Sequence, residues 1–85
     1  MSEFRFTLKI EGADVLSDAA QEALFEAGCD DATFGVTDGL QTAEFDRKAG
    51  DFSEAVASAI REIEGAVRGA EVIEVHRERD IAAPR

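Results

Sequence analysis

Between Phe4 and Ile10 apolar and polar residues alternate without a break. Phe4, Phe6, Leu8 and Ile10 fall on one face, and Arg5, Thr7 and Lys9 on the other. That period of two predicts a half-buried strand, which Gly12 ends. From Val15 to Ala27 the period lengthens. Leu16, Ala19, Ala20, Ala23, Leu24 and Ala27 share one side of a predicted helix, with Asp14 as its N-cap and Gly28 as its left-handed C-terminal stop. Alternation returns in Ala32, Phe34 and Val36. Asp38-Gly39 then offers the two positive φ angles of a tight hairpin turn, and a return strand is expected from Leu40 to Asp46 with Ala43 and Phe45 on one face. Past Gly50, Asp51 and Glu54 have the spacing of a capping box. Phe52, Val56, Ala59, Ile60, Ile63 and Val67 mark one stripe of a second helix that ends near Gly69. A last strand is expected from Glu71 to His76.

The resulting order is β-α-β-β-α-β. Two helices that each need an apolar surface, with one short hairpin between them, predict an α+β, ferredoxin-like sandwich: both helices on one face of a four-stranded antiparallel sheet. No linker or repeat divides the chain. One domain is expected over residues 1–76, followed by a charged, aperiodic tail over 77–85.

Composition sharpens this picture mainly through charge. The chain has 85 residues, and a domain of that size buries only about 60% of its unfolded surface. Nineteen acidic against nine basic residues leave a net charge of -10, and no Lys or Arg occurs between Lys9 and Arg47. Binding to DNA, RNA or anionic lipid requires clustered Lys and Arg, so a direct nucleic-acid or membrane partner is not expected. No apolar run nears the roughly 18 residues of a membrane span, and no secretion leader is apparent. Cys29 is the only cysteine and has no disulfide partner within the chain, which fits a cytoplasmic protein.

Candidates for catalysis are few. His76 stands alone among acidic neighbours on a strand, where a solvated surface role is the simpler reading. Cys29 follows a helix C-terminus, the end whose dipole opposes a thiolate, and reads as a small semi-buried residue. Ser17, Ser53 and Ser58 have no partner motif. Asp30, Asp31 and Asp38 do not follow the spacing of a calcium loop, and neither Cys-x-x-Cys nor a glycine-rich nucleotide motif is present. No catalytic residue, metal site or cofactor is expected.

Two surfaces remain. Asp14, Asp18, Glu22 and Glu26 recur at four-residue steps, which on a helix form a slowly spiralling row rising about 6 Å per step. Like charges so placed each cost roughly 0.2–0.5 kcal/mol, with no i+4 cation to relieve them. Phe25 projects from the same side. The row is either a solvated helix face or a docking surface, with Phe25 as anchor and carboxylates that steer a basic partner. A stronger version makes it a mimic of nucleic acid. The second surface is the open sheet face, where Arg5, Thr7 and Lys9 are expected beside Thr42, Glu44 and Asp46. Such a face either stays hydrated, forms a homodimer or holds a small ligand.

The runs Phe4 to Ile10, Ala23 to Asp31 with Thr37 to Gly39, Ala43 to Arg47, and Phe52 to Ile60 resemble the N-terminal region of small, mostly uncharacterised bacterial proteins. In those, a βαββαβ segment precedes a helix-turn-helix similar to that of transcriptional regulators or antitoxins. The likeness spans about Phe4 to Val75. The ten residues after Val75 are too few for a helix-turn-helix, so DNA reading does not carry over. What the resemblance implies is a dimerising or partner-sensing module. The expectation is therefore a non-enzymatic, dimeric regulatory or antitoxin-like component that binds a protein partner. The alternatives are an acidic nucleic-acid mimic of the phage anti-defence type, aimed at a basic host protein, and a small-ligand sensor.

Overall fold

The computed structural model of the chain describes residues 2–78. Residues 79–85, most of the expected tail, lie outside the described residues. Six elements follow in the expected order: β1 (Ser2–Glu11), α1 (Asp18–Glu26), β2 (Ala32–Thr37), β3 (Leu40–Ala49), α2 (Phe52–Ala66) and β4 (Glu71–Arg77). The strands form one antiparallel sheet in the order β2-β3-β1-β4. This is an α+β arrangement consistent with a ferredoxin-like fold.

The alternation in β1 does what its period requires. Phe6, Leu8 and Ile10 are fully buried and join Ala43 and Phe45 of β3, Leu24 of α1, and Ala55, Ala59 and Ile63 of α2 in one core cluster. Each large side chain so buried contributes about 1.5–3 kcal/mol. Phe6 stacks on Phe45 with ring centres 5.3 Å apart, and Phe52 meets Phe6 edge-on at 5.7 Å. Asp38 and Gly39 both have positive φ, at 53° and 81°, as the hairpin turn demands. At the start of α2, Asp51 accepts the Glu54 N–H at 2.8 Å, while Glu54 reaches back to the Gly50 N–H at 2.9 Å. The reciprocal cap forms one residue wider than the usual box.

The first helix departs from expectation. It begins at Asp18, with Ser17 and not Asp14 as N-cap; the Ser17 hydroxyl accepts the Ala20 N–H at 3.2 Å. The cause lies elsewhere in the chain. Gln41 of β3 accepts the Val15 N–H at 2.8 Å and donates to the Ala13 carbonyl at 2.7 Å. Gln21 donates to the Val15 carbonyl, and Asp14 turns back to accept the Leu16 N–H. Residues 13–16 are thus held outside a helix by side-chain bonds that compete with helical ones. Val15 drops into the core, fully buried, whereas Leu16, Ala19 and Ala27 of the expected apolar stripe are exposed.

Three strands are longer than expected, β1 by two residues before Phe4 and one after Ile10. β4 runs through Arg77, whose guanidinium lies 4.4 Å from the centre of the Phe52 ring. β3 continues three residues beyond Asp46, and its inward series reads Ala43, Phe45, Arg47, Ala49. A charged residue therefore stands at a core position.

Candidate functional site

The outer face of α1 carries four of the residues singled out in the sequence. Asp18, Glu22 and Glu26 keep their four-residue steps and are all exposed. Asp14 is corrected out of the row, because it precedes the helix and caps its own turn. The remaining row spans the nine residues from Asp18 to Glu26, about 12 Å along the axis. Among the described residues none of its three carboxylates forms an ion pair. Phe25 follows Glu22 by three residues and Asp18 by seven, so it shares their side of the helix. It is 66% exposed, the most exposed large apolar residue described.

The sheet residues come together in the expected register. Arg5 lies opposite Asp46, Thr7 opposite Glu44, and Lys9 opposite Thr42. Arg5 Nε donates to Asp46 at 2.7 Å, a bond that raises the Arg5 pKa, and Lys9 stands 3.9 Å from Glu74 on the other neighbour. Thr7 donates its hydroxyl to Glu78 at 3.3 Å. His76 is exposed beside Thr7. Arg5 and Lys9 are thus engaged within this face. Such exposed pairs contribute little to stability.

A third constellation escaped the sequence reading. Arg47, only 7% exposed, points inward from β3 and uses its whole fork. Its Nε and one terminal nitrogen grip Asp31 at 2.8 and 2.9 Å; that nitrogen also reaches Glu62 at 2.8 Å and the Gly28 carbonyl at 3.1 Å. The other terminal nitrogen donates to Ser58 at 2.9 Å. The guanidinium also lies 5.0 Å from the centre of the Phe45 ring. Its pKa rises further, first through the bonds to Asp31 and then, against the cost of burial, through those to Glu62. A shallow depression of about 520 Å³ opens here, lined by Gly28, Asp31, Arg47, Ser58 and Glu62 together with Asp46 and Lys48.

Local backbone geometry explains how Cys29 enters this cluster. α1 ends with Gly28 at φ 113°, and the N–H groups of Gly28 and Cys29 return to the carbonyls of Phe25 and Leu24 at 3.2 and 2.9 Å. This double closure turns the second residue past the helix inward against Leu24. Cys29 is accordingly 4% exposed, with its thiol donating to Glu62 at 3.6 Å. Burial, and then the charge of Glu62, push the thiol pKa up to about 12. A thiol held protonated is no nucleophile. With all three Arg47 guanidinium nitrogens bonded to protein groups, the cluster fastens β3, α2 and the α1–β2 turn together.

Among the described residues no three His, Cys, Asp or Glu side chains converge as a metal site would, and no helix is long and apolar enough to cross a membrane. Compared with protein-family models, curated proteins and solved structures, the chain finds no match. The physical features of the three surfaces therefore carry the functional reading. Of these, only the outer face of α1 combines an exposed aromatic with charges that lack partners among the described residues.

Proposed function

We propose that this chain is a non-catalytic protein-interaction module, a regulatory or antitoxin-like component, that docks a basic protein through the outer face of α1. The observation that supports it is Phe25, two-thirds exposed beside the row Asp18, Glu22 and Glu26, which is unpaired among the described residues. An exposed aromatic contributes about 1.5–3 kcal/mol once buried, and such anchors dominate interfaces. The surrounding carboxylates accelerate encounter with a basic surface and reject acidic ones. In the same reading both helices lie on one face of the sheet, as in a ferredoxin-like sandwich. The core cluster shared by Leu24, Ala55, Ala59 and Ile63 supports this arrangement.

A second reading rests on the same exposed row: an acidic mimic of nucleic acid. Backbone phosphates recur about every 3.4 Å along a strand, so a row stepping about 6 Å matches only alternate phosphates. In that reading Phe25 is dispensable.

Capture from host extract on immobilised wild type, Phe25→Ala, Glu22→Lys and the control Glu71→Lys tests both. The interaction module predicts one basic protein held by wild type and the control and lost from the two α1 variants. Loss from Glu22→Lys with retention by Phe25→Ala favours the mimic. Equal retention by all four moves the interface away from α1 and overturns the proposal.

A further inference from the structure

Among the described residues β4 is an edge of the sheet, and the side turned away from β1 has the makings of a self-association surface. The Glu78 N–H donates to the Arg5 carbonyl at 2.9 Å, and the register continues with Arg77 opposite Phe6, His76 opposite Thr7, Val75 opposite Leu8 and Glu74 opposite Lys9. Antiparallel ladders alternate bonded and non-bonded pairs. Glu74, His76 and Glu78 therefore direct their backbone groups to β1, while those of Val75 and Arg77 face outward. Proteins usually guard such an edge with charged side chains, above all Lys, with Pro, a bulge or a covering element. Of these, β4 has acidic residues and a bulge at its Ile73 end. β4 contains neither Lys nor Pro, and Arg77 is drawn inward over Phe52 and Phe4. Two of the exposed large apolar residues lie on this strand, Ile73 at 43% and Val75 at 41%.

We propose that a second copy of this chain pairs antiparallel along β4, about a two-fold axis at Val75, so that the two sheets become one. Charge discriminates between this register and its nearest neighbours. Centred on Val75, Glu74 faces the second copy's His76, Ile73 faces the second copy's Arg77, and no acid meets an acid. Centring on Glu74 sets that carboxylate against its own copy, and centring on His76 sets Glu74 against the second copy's Glu78. Like charges directly opposite destabilise a ladder, so both shifts are disfavoured. The irregularity between Lys9 and Ile10, beside Ile73, ends the regular segment and keeps the association short. Each copy also brings a net charge of -10, so added salt strengthens the dimer by screening their repulsion. Docking of a basic partner on α1 has the opposite salt dependence, and Phe25→Ala leaves this dimer intact, so the two proposals fail separately.

Sedimentation equilibrium of the full chain across a salt series tests the idea. The expected result is a dimer that strengthens with salt and weakens at least about tenfold, or about 1.4 kcal/mol, in Val75→Pro, which removes only an outward N–H. Val75→Lys is the second variant, read with circular dichroism to certify folding, should proline disturb the strand. A bonded antiparallel pair places its Cα atoms about 5.5 Å apart, within disulfide reach. Val75→Cys in a Cys29→Ala background is thus expected to cross-link two chains on mild oxidation, and Glu71→Cys is not. A chain that stays monomeric at all salt concentrations overturns the proposal, as does a dimer unchanged by both Val75 substitutions.

Discussion

Arg47→Met is the sharpest test of how this small domain holds together. The substitution keeps a long apolar stem beneath α2 but removes five hydrogen bonds: two to Asp31 and one each to Glu62, Gly28 and Ser58. It also leaves two carboxylates facing a site without a cation. Breaking a buried pair from one side costs roughly 3–5 kcal/mol. Asp31 and Glu62 retain 27% and 26% of their side-chain exposure, so rehydration moderates the loss toward the lower end, about 3 kcal/mol. In a domain of this size that lowers Tm by about 12–24 °C, a large part of its whole stability. Urea unfolding followed by circular dichroism measures it directly. Arg47→Lys should recover less than half, because an ammonium cannot reproduce the fork. Adding Asp31→Asn and Glu62→Gln to Arg47→Met should restore part of the loss, since neutralising both sides removes the orphaned charges. A loss below about 1 kcal/mol for Arg47→Met, or none relieved by the added substitutions, would refute the view that this cluster fastens the fold.

Three further outcomes follow. The Cys29 pKa is raised from 9.0 to about 12 in the folded chain, so between those values the unfolded thiol ionises while the folded one does not. Stability should fall with rising pH in that window by up to about 1.4 kcal/mol per unit, and the wild-type minus Cys29→Ala difference in unfolding free energy isolates the slope. Gly28→Ala forces a side chain into φ 113° with its Cβ 3.2 Å from the Glu62 carboxylate, and a loss of at least about 1 kcal/mol in urea unfolding is expected. Phe25→Ala, at an exposed position, should leave unfolding within about 0.5 kcal/mol of wild type, so any lost interaction cannot be ascribed to lost folding.

How much of this was legible in the chain depends on the range of the interaction. β1, the hairpin turn and the α2 cap are local, and alternation, Asp38-Gly39 and the Asp51/Glu54 pair announce them. The start of α1 is not local. Residues 13–16 have the composition of a first helical turn, but Gln41, 26 positions beyond Val15, captures their backbone. Asp14 leaves the acidic row for that reason. Arg47 was hidden differently. An arginine after an acidic residue at a strand end reads as surface, and only its place in the odd-numbered series with Ala43, Phe45 and Ala49 hints that it faces the core. Its partners Asp31 and Glu62 lie 16 and 15 positions away on separate elements, so no spacing rule joins them. Phe25 was visible from helical angle alone, because its side of the helix does not depend on where the helix begins.

Site-specific photo-crosslinking in the host cell tests the central claim most directly. A benzophenone side chain placed at Phe25 lies on the outer face of α1, and the same group at Asp51 lies at the N-cap of α2. The account predicts a crosslink from position 25 to a basic protein, absent from position 51 and abolished by adding Glu22→Lys. Failure to crosslink at position 25, or the same product from position 51, would contradict it.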